Sequence, residues 1–223
     1  MWIKLKKKLL IIGGSGLVGN SLIKSACKNY DVHFTYNKTK SLINNIDGIY
    51  LNLTNDRKKI ISLIQSLKPD VTIHTAAHSS VDHCEVDHNS AELLHVEITK
   101  DIAFSCNSVD SKLIYISTDA VFPGQINKKY TETDIADPVN YYGKTKLSAE
   151  KIILNASPHN IILRSAVIYG WSTRSRFTSW IIDSLSQNKT VDPFIDQYNT
   201  PTLVDDLVNS ILKIIELNIS GLY

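Results

Sequence analysis

A chain of 223 residues, 43% hydrophobic and 21% charged, can bury a full core and has the balance of a globular protein, which excludes disorder, collagen-like repeats and extended coiled coil. A formal net charge of +2 is too small to imply nucleic acid. The three cysteines, Cys27, Cys84 and Cys106, stand far apart without a CxxC spacing, which argues against a zinc site or a disulfide framework.

The basic run of Lys4 with Lys6–Lys8 reads as a solvated leading stretch, and Leu9–Ile12 as the first strand. That strand ends at two glycines and is far shorter than the roughly 20 residues of a membrane span, and no signal-peptide cleavage pattern follows. The expectation is a cytoplasmic protein without membrane or nucleic-acid partners. Gly13, Gly16 and Gly19 come next as GxxGxxG, at the mouth of a helix expected over Leu17–Lys28. A strand, a glycine-rich turn and a helix in this order form a dinucleotide fingerprint. The first glycine permits the tight turn, the second lets backbone approach a pyrophosphate, and the third allows close helix packing.

A second strand, Val32–Tyr36, leads into Tyr36-Asn37-Lys38-Thr39-Lys40. A carboxylate at this place would accept from the ribose hydroxyls of NAD, whereas the two lysines here favour a 2′-phosphate and hence NADPH over NADH. Further strands are expected at Ile49–Leu51, Val71–Thr75, Leu113–Ser117 and Ile161–Val167, with helices at Asp56–Leu67, Ala91–Cys106 and Tyr141–Ala156. Strand and helix alternate, which predicts an α/β fold with a Rossmann-type doubly wound parallel sheet over residues 1–170. Residues 171–223 lose that rhythm. A helix at Phe177–Gln187, a short strand near Val191 and a helix at Val204–Leu217 predict a small, partial substrate lobe packed on the sheet.

Tyr142 and Lys146 lie four apart in an expected helix and so share a face, whereas Tyr141 has Thr145 four residues on. An ammonium beside a phenol stabilises the phenolate, and the pair would act as proton donor and electrostatic partner while reaching the nicotinamide ribose. Ser117 and Thr118 close a strand, where ligands lie in an open α/β sheet, and a hydroxyl there can orient a carbonyl oxygen. The histidines, His33, His74, His78, His83, His88, His95 and His159, form no HExxH or facial carboxylate set, so no metal is expected. Arg174 and Arg176 are candidates for a clamp on a nucleotide diphosphate.

With these pieces in place the chain resembles the extended short-chain dehydrogenase/reductases. Within them it is similar to the dTDP-4-dehydrorhamnose reductase group, which also contains the regulatory β subunit of methionine adenosyltransferase. The most specific stretches are Ser117-Thr118-Asp119-Ala120-Val121-Phe122-Pro123-Gly124, similar to the group's STDYVFDG, and Asn140-Tyr141-Tyr142-Gly143-Lys144-Thr145-Lys146, similar to its NxYGxTK. Leu163-Arg164, Tyr169-Gly170, Asp196-Gln197, Thr200-Pro201-Thr202 and Val81-Asp82 with Glu85 extend the match. The resemblance implies Tyr142 as general acid, Lys146 as its partner and Thr118 as the hydroxyl orienting the keto group. Gly13, Ser15, Gly16, Leu17 and Val18 would hold the pyrophosphate, Asn37 and Lys38 the adenosine end, and Asn52, Leu53, Ala76, Ala77 and His78 the rest of the cofactor cleft. Asp119 and Val167 would face a nucleotide-sugar substrate, and a homodimer is the implied assembly.

Four departures from the group stand out. Ala120 replaces a Tyr and Val167 a Trp, both near the sugar; Glu97 replaces an Asn, and Asn52 the Asp of the adenine loop. Gly221-Leu222-Tyr223 is similar to the family's GxYH strand, after which family members continue for several tens of residues, so the substrate lobe is expected to be truncated. The leading reading is an NADPH-dependent reduction of the 4-keto group of a nucleotide-activated deoxysugar. A dinucleotide-binding regulatory subunit without turnover, and an epimerase or dehydratase of nucleotide sugars, stay open beside it.

Overall fold

The computed structural model describes residues 5–39, 42–43 and 45–223, so Lys4 and Lys40 lie outside the described residues. Strand β1 (Lys8–Ile12) alternates between two cores: Leu9 and Ile11 enter one, Leu10 and Ile12 the other. A strand apolar on both faces must be covered on both, and helices cover it here. After helix α1 (Leu17–Ala26) come β2 (Asp31–Tyr36), a two-stranded hairpin of β3 (Leu42–Ile43) and β4 (Ile46–Asp47), then β5 (Ile49–Tyr50). Helix α2 (Arg57–Leu67) precedes β6 (Val71–His74), whose four residues are all buried.

The single helix expected over Ala91–Cys106 is a run of three segments preceded by a short helix. Helix α3 (Val81–Val86) is capped by Ser80, whose side chain accepts from His83 N at 3.2 Å. Helix α4 (His88–Glu92) is capped by Asp87, which accepts from Ser90 N at 3.0 Å. A π-helical turn over Leu93–Glu97 then leads into α5 (Ile98–Ser108). Next come β7 (Lys112–Thr118), a 3-10 turn at Asp119–Val121, and α6 (Tyr141–Ala156), which starts where expected because the Asn140 side chain accepts from Gly143 N at 2.7 Å.

The strand expected over Ile161–Val167 divides into β8 (Ile161–Ser165) and β9 (Ile168–Tyr169). Helix α7 (Arg176–Ser186) buries none of its residues, and the strand expected near Val191 is absent from an irregular stretch. Its place is taken by β10 (Thr202–Leu203), which pairs in parallel with β9. Helix α8 (Val204–Leu217) and β11 (Gly221–Leu222) follow.

The main sheet runs β11-β8-β7-β6-β1-β2-β5, with every pairing parallel. The chain order reverses between β1 and β6, which opens a crevice at the carboxyl ends of those strands. The boundary expected at residue 170 is crossed from the C-terminal side. Val208, Ile211 and Ile215 of α8 lie in the core that holds Leu9 and Ile11, and β11 extends the sheet beyond β8. A helix apolar at these spacings buries its stripe on the nearest apolar face, and here that face is the sheet itself. Among the described residues no helix is long and apolar enough to cross a membrane.

Candidate active site

Gly13 to Val18 follow β1, Asn37 and Lys38 follow β2, Ala76 to His78 follow β6, Thr118 ends β7 and Val167 follows β8, each at the carboxyl end of its strand. The glycine-rich turn after β1 is pinned from both sides: Gly14 N donates to Thr35 O at 2.8 Å, and Thr75 Oγ1 donates to Ile12 O at 2.9 Å. Gly13 has φ +92, and a Cβ there would stand 2.8 Å from Thr75 Oγ1, so turn and crowding both require glycine. A Cβ on Gly19 would collide with the Gly13 carbonyl, which lets α1 press against the turn. At Gly16 the only neighbour within 4 Å of a Cβ among the described residues is Gly13 O at 3.4 Å, an ordinary contact that does not itself demand glycine. Helix α1 has no side-chain cap and no acid in its first turn, and helix geometry leaves the first amides without intrahelical acceptors. These features fit a dinucleotide pyrophosphate on Ser15, Gly16, Leu17 and Val18. Arg174 reaches the same turn, donating from Nε to Ser15 O at 3.1 Å, while Arg176 opens α7 in an exposed position.

Around this turn lie the other cleft residues. Asn37 and Lys38 are exposed just past β2, and burial above all, with His83 and to a lesser degree Lys38, lowers the His78 pKa against the upward pull of Asp87. Leu53 is buried against the core. Asn52 serves its own turn, its Oδ1 accepting from Thr54 Oγ1 at 2.8 Å and from Thr54 N at 3.2 Å. Ala76, Ala77 and His78 follow β6 at the crevice, and His78 Nε2 lies 2.9 Å from Ser90 Oγ.

Helix α6 carries the reactive pair to this edge. A Cβ on Gly143 would collide with the Ala120 carbonyl and come within 2.8 Å of Pro138 Cβ, so glycine lets the first turn of α6 settle on the turn after β7. That close approach brings Tyr142 beside Thr118. Burial pushes the Tyr142 phenol up to about 12, and a hydrogen bond with the Thr118 side chain works in the opposite direction. Thr118 is itself buried and accepts from Ala120 N at 3.1 Å. Asp119 follows it, exposed, and Val167 is exposed beyond β8.

Lys146 is 2% exposed, with Nζ donating to Ile116 O at 2.7 Å and lying 4.0 Å from the centroid of the Tyr115 ring. Burial lowers its pKa to about 7 against the upward pull of Glu150. The expectation that this ammonium draws Tyr142 towards ionisation is not met in this structure. Lys146 is turned to the β7 carbonyl and the Tyr115 face, so burial dominates at the phenol.

Beneath the pair lies a buried ionic group that the sequence reading did not assemble. Arg164 Nη2 and Glu150 Oε2 are 2.7 Å apart, and Ser117 Oγ donates to Glu150 Oε1 at 2.5 Å. Glu97, expected to replace an Asn of the resembled group, is partly exposed and pairs with Arg57 at 3.4 Å. The π-helical turn buries Leu94, His95 and Val96, and the polar one is His95, 1% exposed and with its ring edge-on to Tyr142, centroids 5.6 Å apart. Sequence spacing carries no signal for it, because a π-turn leaves the apolar pattern of the flanking helices intact. Among the described residues no cluster of potential metal ligands occurs.

Residues 7–223 match the family model described as RmlD substrate binding domain. A dTDP-4-dehydrorhamnose reductase of Aggregatibacter actinomycetemcomitans is 32% identical over 216 residues, covering 96% of this chain and 69% of that protein. Methionine adenosyltransferase 2 subunit beta of Xenopus tropicalis is 31% identical over 227 residues, 97% of this chain and 66% of that one. Of the corresponding Salmonella typhimurium reductase the chain covers 57%. Among solved structures, the dTDP-4-dehydrorhamnose reductase of Bacillus anthracis in complex with NADP superposes with a TM-score of 0.86 at 27% identity, over all of this chain and 75% of the other.

Proposed function

Because this chain belongs to the RmlD substrate binding domain family, we propose that it is an NADPH-dependent reductase acting on the 4-keto group of a nucleotide-activated deoxysugar, as the reductases it resembles are named for doing. The observation that carries the reading is the meeting of Tyr142 with Thr118 at the carboxyl end of β7, beside a glycine-rich turn built for a pyrophosphate. The bound cofactor supplies hydride to the carbonyl carbon. Tyr142 gives its phenolic proton to the carbonyl oxygen, and Thr118 orients that oxygen. With a pKa of about 12, Tyr142 holds its proton at neutral pH, as a donor must. Lys146, held on the Ile116 carbonyl, is proposed to reach the nicotinamide ribose, and Glu150 favours its charged form.

The proposed substrate-facing part is the stretch 171–203 together with Asp119 and Val167. The proposed setting is the cytoplasm, and the proposed assembly a homodimer. The direct test supplies dTDP-4-dehydro-6-deoxyhexose and follows NADPH oxidation, with NADH in parallel. Oxidation of NADPH upholds the reading. Tight NADPH binding without oxidation transfers the case to a regulatory subunit, the reading favoured by the 31% identity to a methionine adenosyltransferase subunit. Product formed without added reduced cofactor assigns an epimerase or dehydratase.

Cofactor choice gives a second expected result. Lys38 is exposed just past the carboxyl end of β2, where a ribose 2′-phosphate would meet its charge. Lys38→Ala should weaken NADPH binding roughly tenfold, the loss of about 1.4 kcal/mol for one exposed charge-assisted contact, and leave NADH binding as it was. Titration by cofactor fluorescence measures both. Equal weakening of the two cofactors removes Lys38 from phosphate recognition.

A further inference from the structure

His95 is buried among three groups that fix its protonation. Its Nε2 accepts from the backbone N–H of His78 at 2.9 Å, and an accepting nitrogen carries no proton. The proton is therefore on Nδ1, which lies 2.8 Å from Thr145 Oγ1 and donates to it. That hydroxyl, having accepted, directs its own hydrogen to the Tyr142 carbonyl at 2.9 Å. Burial and the nearby Lys146 push the imidazole pKa down to about 3, so the ring stays neutral and the direction of the chain is kept. A protonated ring would turn a donor towards the His78 N–H.

The chain of bonds crosses the site. Its first member belongs to the segment Ala76-Ala77-His78, which follows β6 at the cofactor crevice, and its last is the backbone of Tyr142. The His95 ring also stands edge-on to the phenol ring, at an interplanar angle of 77°. Thr145 is 2% exposed, so water does not compete for its hydroxyl. The π-helical turn at Leu93–Glu97 is what allows an imidazole to enter between these two walls while Glu97 points outward to Arg57.

We infer that His95 is a positioning residue which, through Thr145, couples the cofactor-facing loop after β6 to the backbone of Tyr142, so that hydride source and proton donor are held in one register. The inference rests on Tyr142 as the proton donor. His95 is 1% exposed and acts through His78 and Thr145.

Two measurements on the full chain test it. The first is 15N NMR of histidine-labelled protein without substrate. His95 should give the Nδ1–H tautomer, unchanged across neutral and mildly acidic pH, with its nitrogens shifting in Thr145→Val; an Nε2–H tautomer would overturn the bridge. This readout needs no turnover, so it stands or falls independently of the reductase reading. The second compares Thr145→Val, which keeps the shape and removes the hydroxyl, with Thr145→Ser, which keeps the hydroxyl. A displacement of about 1 Å at a reacting group costs on the order of a hundredfold. Thr145→Val should thus lose roughly ten- to a hundredfold in kcat with NADPH affinity retained, and Thr145→Ser should restore most of it. Equal losses in both variants, or full kcat in Thr145→Val, would overturn the inference.

Discussion

Replacing Tyr142 with Phe should lower kcat by about 10²- to 10⁴-fold, the range typical of a lost general acid, and leave NADPH binding intact. The phenol is the group beside Thr118, and burial keeps it protonated. A ring without the hydroxyl keeps its edge contact with His95 and its seat on the turn after β7, so the fold has little reason to change. The glycine-rich turn proposed to hold the pyrophosphate is pinned by β1, Thr35 and Thr75, none of which depends on the hydroxyl. Tyr141 is the internal control. Its ring stacks on His88 at 3.7 Å and its hydroxyl donates to Glu92 at 3.4 Å. Tyr141→Phe should retain turnover. The paired measurement is single-turnover NADPH oxidation alongside cofactor titration, and a Tyr142→Phe protein with most of its activity removes Tyr142 from the mechanism.

The sequence displays Tyr142 because α6 has a helical period and an Asn140 cap, both local features that survive into the structure. The glycine turn is legible for the same reason, since φ +92 at Gly13 is a demand on one residue type. The π-turn at Leu93–Glu97 is not local in this sense. Its apolar residues fit an ordinary helix, and its widening follows from the partners at His78 and Thr145, 17 and 50 positions away from His95. Helix α8 is legible as a helix and not as a core element. Its stripe is the same whether it covers a lobe or the main sheet, and only the parallel pairing of β11 with β8 fixes which. Tyr142 and Lys146 are correctly expected on one face. Their electrostatics depend on Ile116 O and Tyr115, which no spacing reveals.

Glu150 should prove the most costly side chain to neutralise. Its carboxylate meets Arg164 through three nitrogen–oxygen contacts between 2.7 and 3.3 Å and also accepts from Ser117, with side-chain exposures of 3% for Glu150 and 10% for Arg164. Arg164 Nη1 is buried with no hydrogen-bond partner among the described residues, so the guanidinium relies on Glu150 and on the Phe122 ring, whose centroid is 4.9 Å from Cζ. Removing one member of a buried pair leaves the other charge uncompensated, and Glu150→Gln is expected to lose about 3–5 kcal/mol in denaturant unfolding. Glu150→Leu combined with Arg164→Met removes both charges together and should recover much of that loss, since well-packed apolar groups often replace a buried pair at little net expense. A Glu150→Gln protein as stable as wild type would mean that water reaches the guanidinium. The same change acts on the site above. Burial lowers the Lys146 pKa to about 7 and Glu150 is the influence that raises it, so its removal shifts the Lys146 pKa further down. If the ammonium assists proton delivery, kcat of Glu150→Gln should fall as pH rises through a lower value than in wild type; an unshifted profile would confine Glu150 to holding the fold.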